Sequence, residues 1–146
     1  MNYFAYGSNM DLSQMKERCS SFKILGKVKL EGFKLDFTRK SSFWSGGVAD
    51  IVKSPGSHAW GILYELAEEC LDSLDIYEGC PKYYKRRKVS VEYNGNMVEA
   101  IAYEVVNKES FIPPSKKYID AMIKAGKDNN FPEDYIGFLK SIETSK

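Results

Sequence analysis

Two short segments of this chain hold residue types whose spacing suits chemistry. Tyr6-Gly7-Ser8-Asn9 closes a short aromatic stretch, Asn2 to Tyr6, that reads as a strand. A sharp strand-to-helix turn containing Gly presents free backbone N–H groups beside a helix N-terminus. Such a place suits a carboxylate or a developing oxyanion. The same residues fit an ordinary strand-to-helix turn equally well. Glu78, followed by Gly79, stands just past a predicted helix, where a negative charge opposes the macrodipole. It reads either as a general acid/base or as a solvated carboxylate at a helix end. Other chemistries find less support. His58 stands alone beside a Ser-Pro-Gly turn, so a Ser-His or Cys-His pair would have to use an exposed turn residue. No His, Cys and carboxylate set has metal-ligand spacing, and the glycines form neither a phosphate loop nor a dinucleotide fingerprint.

The elements that must position these residues follow from pattern. Met10 to Arg18 reads as a helix with Asn9 as its N-cap. Ile24 to Phe37 reads as one or two strands interrupted by Gly26 and Gly32, and Ser41 to Gly47 as a loop. Val48 to Lys53 is a strand, Ser54-Pro55-Gly56-Ser57 a turn, and Ala59 to Leu66 a strand with few charges, expected to be central. Glu68 to Tyr77 reads as a helix that lacks a good N-cap residue, with Cys70, Leu71, Leu74 and Tyr77 as its inward stripe. Asn94-Gly95, between an alternating strand and Met97 to Val106, is the clearest hairpin signal, because Asn-Gly fits a type I′ turn. Pro113-Pro114-Ser115 starts a helix with Tyr118, Ile119, Met122 and Ile123 inside, and Pro132 starts a last one along Tyr135, Ile136, Leu139 and Ile142. A mixed α/β (α+β) domain with a small, largely antiparallel, barrel-like sheet fits this order best.

Length and composition agree with one domain over 1–146. The 146 residues are 43% hydrophobic and 28% charged, ordinary values for a globular chain that needs no metal or disulfide to fold. A net charge of +1 gives no nucleic-acid footprint. The basic run Lys85-Arg86-Arg87-Lys88 reads as a solvated strand end rather than an anion site. The odd set Cys19, Cys70 and Cys80 has no CxxC spacing and points to reduced thiols. No apolar run approaches the ~20 residues of a membrane span, and a first strand from Asn2 leaves no room for a targeting segment. A cytoplasmic protein without membrane or nucleic-acid partners is expected.

The segment Tyr3-Phe4-Ala5-Tyr6-Gly7-Ser8-Asn9-Met10 resembles the signature of the γ-glutamylcyclotransferases. Gly32 to Phe37, Trp44 to Ala49, Ser54-Pro55-Gly56 with Trp60 to Tyr64, Leu74-Asp75, Glu78-Gly79, Tyr84, Pro113 to Tyr118 and Phe131 to Tyr135 are similar to further family blocks, in the same order along nearly the whole chain. The segment Cys80-Pro81-Lys82-Tyr83-Tyr84 reads one residue shorter than in the animal enzymes. The resemblance implies a barrel-like sheet with a cavity at one end. It implies that γ-glutamyl amino acids are cyclised to 5-oxoproline with release of the amino acid, without metal or cofactor. It makes Glu78 the general acid/base. Tyr3, Phe4, Ala5, Tyr6, Gly7, Ser8 and Asn9 become the substrate loop, and Tyr84 and Tyr118 further substrate-binding residues. Because the family includes homodimers, a homodimer is plausible. Other readings keep the site for a γ-glutamylamine or another γ-glutamyl metabolite, or keep only the cavity, as a non-catalytic binding module.

Overall fold

Five strands close into a barrel in the order β1-β3-β2-β4-β5. They are β1 (Asn2–Ala5), β2 (Phe22–Ser41), β3 (Gly46–Leu66), β4 (Tyr84–Tyr93) and β5 (Asn96–Val105). Four helices flank them: α1 (Leu12–Arg18), α2 (Glu68–Glu78), α3 (Lys116–Asp128) and α4 (Glu133–Ser141). The computed structural model describes residues 1–145; Lys146, the last residue of the expected 1–146 domain, lies outside the described residues. Neighbouring strands are antiparallel except where β1 meets β5, parallel, at Tyr3 opposite Ile101. That contact closes the sheet and leaves β1 paired on both sides, which removes a free edge. The barrel-like, largely antiparallel α+β fold expected from the sequence is the fold observed.

The long hairpin β2–β3 departs from the expected breaks. Gly26 and Gly32 do not divide β2; register shifts between Ile24 and Gly26, Glu31 and Phe33, and Phe37 and Arg39 absorb them. Ser54 to Ser57 does not end β3 either. The pairing passes from Phe33–Lys53 to Glu31–His58, so those four residues bulge out within one strand. Bulges bend and coil a strand, and they let strands of 20 and 21 residues wrap a small barrel. The Ala59–Leu66 half of β3 is central as expected, flanked by β1 and β2. Asn94 and Gly95 both have positive φ, the type I′ geometry that joins β4 to β5.

Helix ends bring three corrections. A 3₁₀ turn, Ser8–Met10, precedes α1, so the N-cap is Asp11, whose carboxylate accepts from the Ser13 amide at 3.2 Å. Asn9 is not the cap, because its side chain is used in a buried network. Along α2, Cys70, Leu71 and Leu74 are buried but Tyr77 is 55% exposed, with the Arg18 guanidinium 5.0 Å over its ring. Cys19 and Cys70, 51 residues apart in sequence, come together within disulfide reach, a pairing not expected from their spacing, while Cys80 is the free cysteine. The pairing arises from the packing of α1 on α2, with Cα atoms 5.2 Å apart, and leaves no local sequence signal.

The basic run on β4 is partnered rather than simply solvated. Arg86 bonds Asp75 at 2.8 Å and Asp72 at 3.1 Å, while Arg87 forks onto Glu104 at 3.0 Å. Lys85 and Lys88 are exposed. Among the described residues, no helix is long and apolar enough to cross a membrane.

Candidate active site

One end of the barrel opens into a cavity of about 540 Å³, within the range of small-molecule sites. Its floor is built where β1 stops. Gly7 comes so close to β3 and α3 that a Cβ there would stand 2.9 Å from the Ala49 Cβ and 3.0 Å from the Tyr118 hydroxyl. Lack of space there requires glycine. The Tyr118 hydroxyl accepts from the Ala49 amide at 3.0 Å, and the Tyr84 hydroxyl donates to the Ala49 carbonyl at 2.8 Å. One residue of β3 therefore fixes two tyrosines that arrive from α3 and β4. Tyr118 is delivered by the Pro113-Pro114-Ser115 segment. Pro113 accepts from the Gly47 amide at 3.0 Å, and Ser115 caps α3 by accepting from the Tyr118 amide at 3.2 Å.

The turn is braced from behind. The Asn9 amide donates to the Tyr3 hydroxyl at 2.8 Å, and its Oδ1 accepts from Gln14 at 2.9 Å and from Arg18 at 3.0 Å. Tyr64 donates to the Asn9 carbonyl at 2.8 Å, and Gln14 reaches the Ser8 hydroxyl at 2.8 Å. Ser8 turns its backbone amide and hydroxyl toward the Tyr118 hydroxyl. Because α1 begins only at Leu12, the turn offers its own amides rather than a helix N-terminus.

Glu78 forms the wall. It is the last residue of α2, and Gly79 ends the helix with a left-handed φ of 67°, a conformation costly for residues with a Cβ. The Glu78 side chain is 19% exposed, and the Arg18 guanidinium lies 3.9 Å from Oε2. Among the described residues, no donor hydrogen-bonds the carboxylate. Burial pushes its pKa up from 4.5 to about 7, against the opposing charges of Arg18 and Arg39. The surrounding phenols stay neutral. Burial raises the Tyr118 hydroxyl to about 12 and holds Tyr3, Tyr6 and Tyr84 well above the usual phenol range. The cavity thus combines one carboxyl able to take or give a proton near neutrality with several neutral hydroxyls. Among the described residues, no group of three or more His, Cys, Asp or Glu stands ready to hold a metal.

Tyr3, Tyr6, Gly7, Ser8, Asn9, Glu78, Tyr84 and Tyr118 therefore share one cavity. The shorter Cys80–Tyr84 segment still delivers Tyr84 into it. Phe4 and Ala5 do not line it. Phe4 is fully buried against the Tyr6 ring, and Ala5 pairs with Ile62 in the core. Side chains alternate along a strand, so the whole loop cannot face one way. Sequence reasoning missed Arg18, Gln14, Arg39, Tyr103 and the backbone of Ala49. Residue type gave no signal for them, although Ala49 belongs to one of the quoted blocks.

Known proteins resemble this chain in sequence and fold. The model of the AIG2-like family matches residues 58–139. The γ-glutamylcyclotransferase of Bos taurus is 35% identical over 97% of this chain and 78% of its own length, and that of Homo sapiens is equally similar over the same shares. A solved structure named γ-glutamyl cyclotransferase superimposes with a TM-score of 0.95 at 33% identity, covering 100% of this chain and 89% of its own. With the barrel, the cavity and these relatives together, the chain belongs to the AIG2-like γ-glutamylcyclotransferase family of enzymes.

Proposed function

We propose that the protein converts γ-glutamyl amino acids into 5-oxoproline and the free amino acid, with Glu78 as general acid/base. The observation that carries this reading is the Glu78 carboxyl, pKa about 7, facing the same cavity as the Gly7–Ser8 turn. The substrate's α-ammonium cannot attack until it loses a proton, and its pKa is about 8. The Glu78 carboxylate accepts that proton. The amine then attacks its own γ-carbonyl carbon and forms a five-membered ring. The C–N bond to the leaving amine breaks as Glu78 returns the proton to that nitrogen, and Glu78 then passes the second proton of the ring nitrogen to the released amine, leaving a neutral lactam and an ammonium. Holding the two ends together supplies an effective molarity of ~10⁵ M or more, so positioning provides much of the rate. The Gly7 and Ser8 amides with the Tyr118 hydroxyl hold the glutamyl head. The other residues of the turn and Tyr84 set the shape of its pocket. Residues 1–146 act as one such unit.

The test is 5-oxoproline release by the full chain from γ-glutamyl-alanine, glutathione and a γ-glutamylamine. Product from γ-glutamyl-alanine is expected. No product from any of the three overturns the reading in favour of a binding module.

A further inference from the structure

Two guanidinium groups face the cavity, and they are used differently. Arg18 bonds Asn9, lies beside Glu78 and covers the Tyr77 ring. Arg86 and Arg87, outside the cavity, have carboxylate partners in Asp72, Asp75 and Glu104. Arg39 differs from all of these. It sits at the β2 register shift opposite Val48 and lines the cavity, and its guanidinium rests 4.3 Å over the Tyr83 ring. Among the described residues it has no hydrogen bond and no salt bridge, although its charge acts on Glu78. A guanidinium stacked on a ring keeps its edge donors free, and their planar fork matches a carboxylate.

Depth decides which carboxylate. Tyr6 and Tyr118 at the floor are 5% and 3% exposed, whereas Tyr83 and Phe43 at the mouth are 43% and 81% exposed. A substrate whose cyclising head sits on the Gly7–Ser8 floor points its leaving group outward, past Glu78, toward Arg39. We propose that Arg39, stacked on Tyr83, is the specificity residue that binds the α-carboxylate of the leaving amino acid. The site therefore selects γ-glutamyl amino acids over γ-glutamylamines. This rests on the cyclotransferase reading above.

The experiment compares γ-glutamyl-alanine with γ-glutamyl-ethylamide, the same amide without the carboxylate, in the full-length wild type, R39A, R39Q and R39K. Wild type favours γ-glutamyl-alanine. In R39A and R39Q, kcat/KM for γ-glutamyl-alanine falls roughly 10- to 100-fold, mainly through KM, while the ethylamide stays within about twofold. R39K falls between, since it keeps the charge but not the fork. The ethylamide serves as the internal control for folding and for any effect on Glu78. If both substrates lose activity together, or neither does, Arg39 does not read the leaving group, although the cyclotransferase reading survives. If wild type releases 5-oxoproline from neither substrate, that reading fails and takes this one with it.

Discussion

Asp50 follows Ala49 on β3 and Glu78 ends α2 at the cavity wall; each is a carboxylate withdrawn from water, and their surroundings differ in kind. Asp50 is fully buried and accepts from the Thr38 hydroxyl at 2.7 Å, the Ile51 and Val105 amides at 2.9 Å, and the Lys108 ammonium at 2.7 Å. Lys108 in turn reaches Glu104, which pairs with Arg87. Glu78 is less buried, yet among the described residues its one ion-pair partner is Arg18 at 3.9 Å. Burial alone therefore does not mark a carboxylate for chemistry. A saturated carboxylate joins β2, β3 and β5 and becomes part of the frame, whereas an under-coordinated one keeps a proton affinity near neutrality.

Substitutions can break this contrast. The largest expected effect is on turnover: E78Q lowers kcat by about 10²–10⁴-fold with the fold intact, measured as 5-oxoproline release alongside circular dichroism. Retention of most activity would mean that Glu78 moves no proton. D50A is expected to act on stability instead, by about 3 kcal/mol in urea unfolding, because it strands buried amides and the Thr38 hydroxyl. The folded fraction of D50A should keep the acid limb of its pH–rate profile near pH 7, the value set by Glu78. A displaced limb would couple the two regions. The smallest effect concerns E78Q and heat. The folded pKa of about 7 lies above the ordinary 4.5, so the native state binds the extra proton between those values. Stability then falls as pH rises through that window, and the full cost applies above it. E78Q avoids this cost, at most about 3 kcal/mol, so its Tm should exceed wild type at pH 8 and match it at pH 4. Equal Tm at both pH values would contradict the proton affinity assigned to Glu78.

Much of the fold was legible where local rules decide. The Asn94-Gly95 turn, the Tyr118–Ile119–Met122 face of α3 and the missing cap of α2 are local properties, and they stand as read. The continuity of β2 and β3 was not legible. Gly32 and Ser54-Pro55-Gly56-Ser57 carry true turn chemistry, but here that chemistry builds bulges, and only barrel closure distinguishes the two. Asp11 displaced Asn9 as cap because Asn9 is claimed by Tyr3, Gln14 and Arg18, and such competition is tertiary. The same holds for the Cys19–Cys70 pair. In the site, the Tyr6-Gly7-Ser8-Asn9 turn and Glu78 could be named from residue type and resemblance. Arg39 could not, since a cation just past the expected strand end at Phe37 reads as surface until the Phe37–Arg39 register shift brings it to the cavity.

The grip of Ala49 on Tyr84 and Tyr118 is made entirely by its amide and carbonyl. Those atoms are common to nearly every amino acid, so the tyrosine frame can be inherited through extensive drift in side chains. What drift at this position changes is the room left beside Gly7, where a larger residue would intrude on the turn. The arrangement separates heritable scaffold from adjustable volume. A lineage could resize the chamber for new guests while its acid/base wall and its binding floor stay in register.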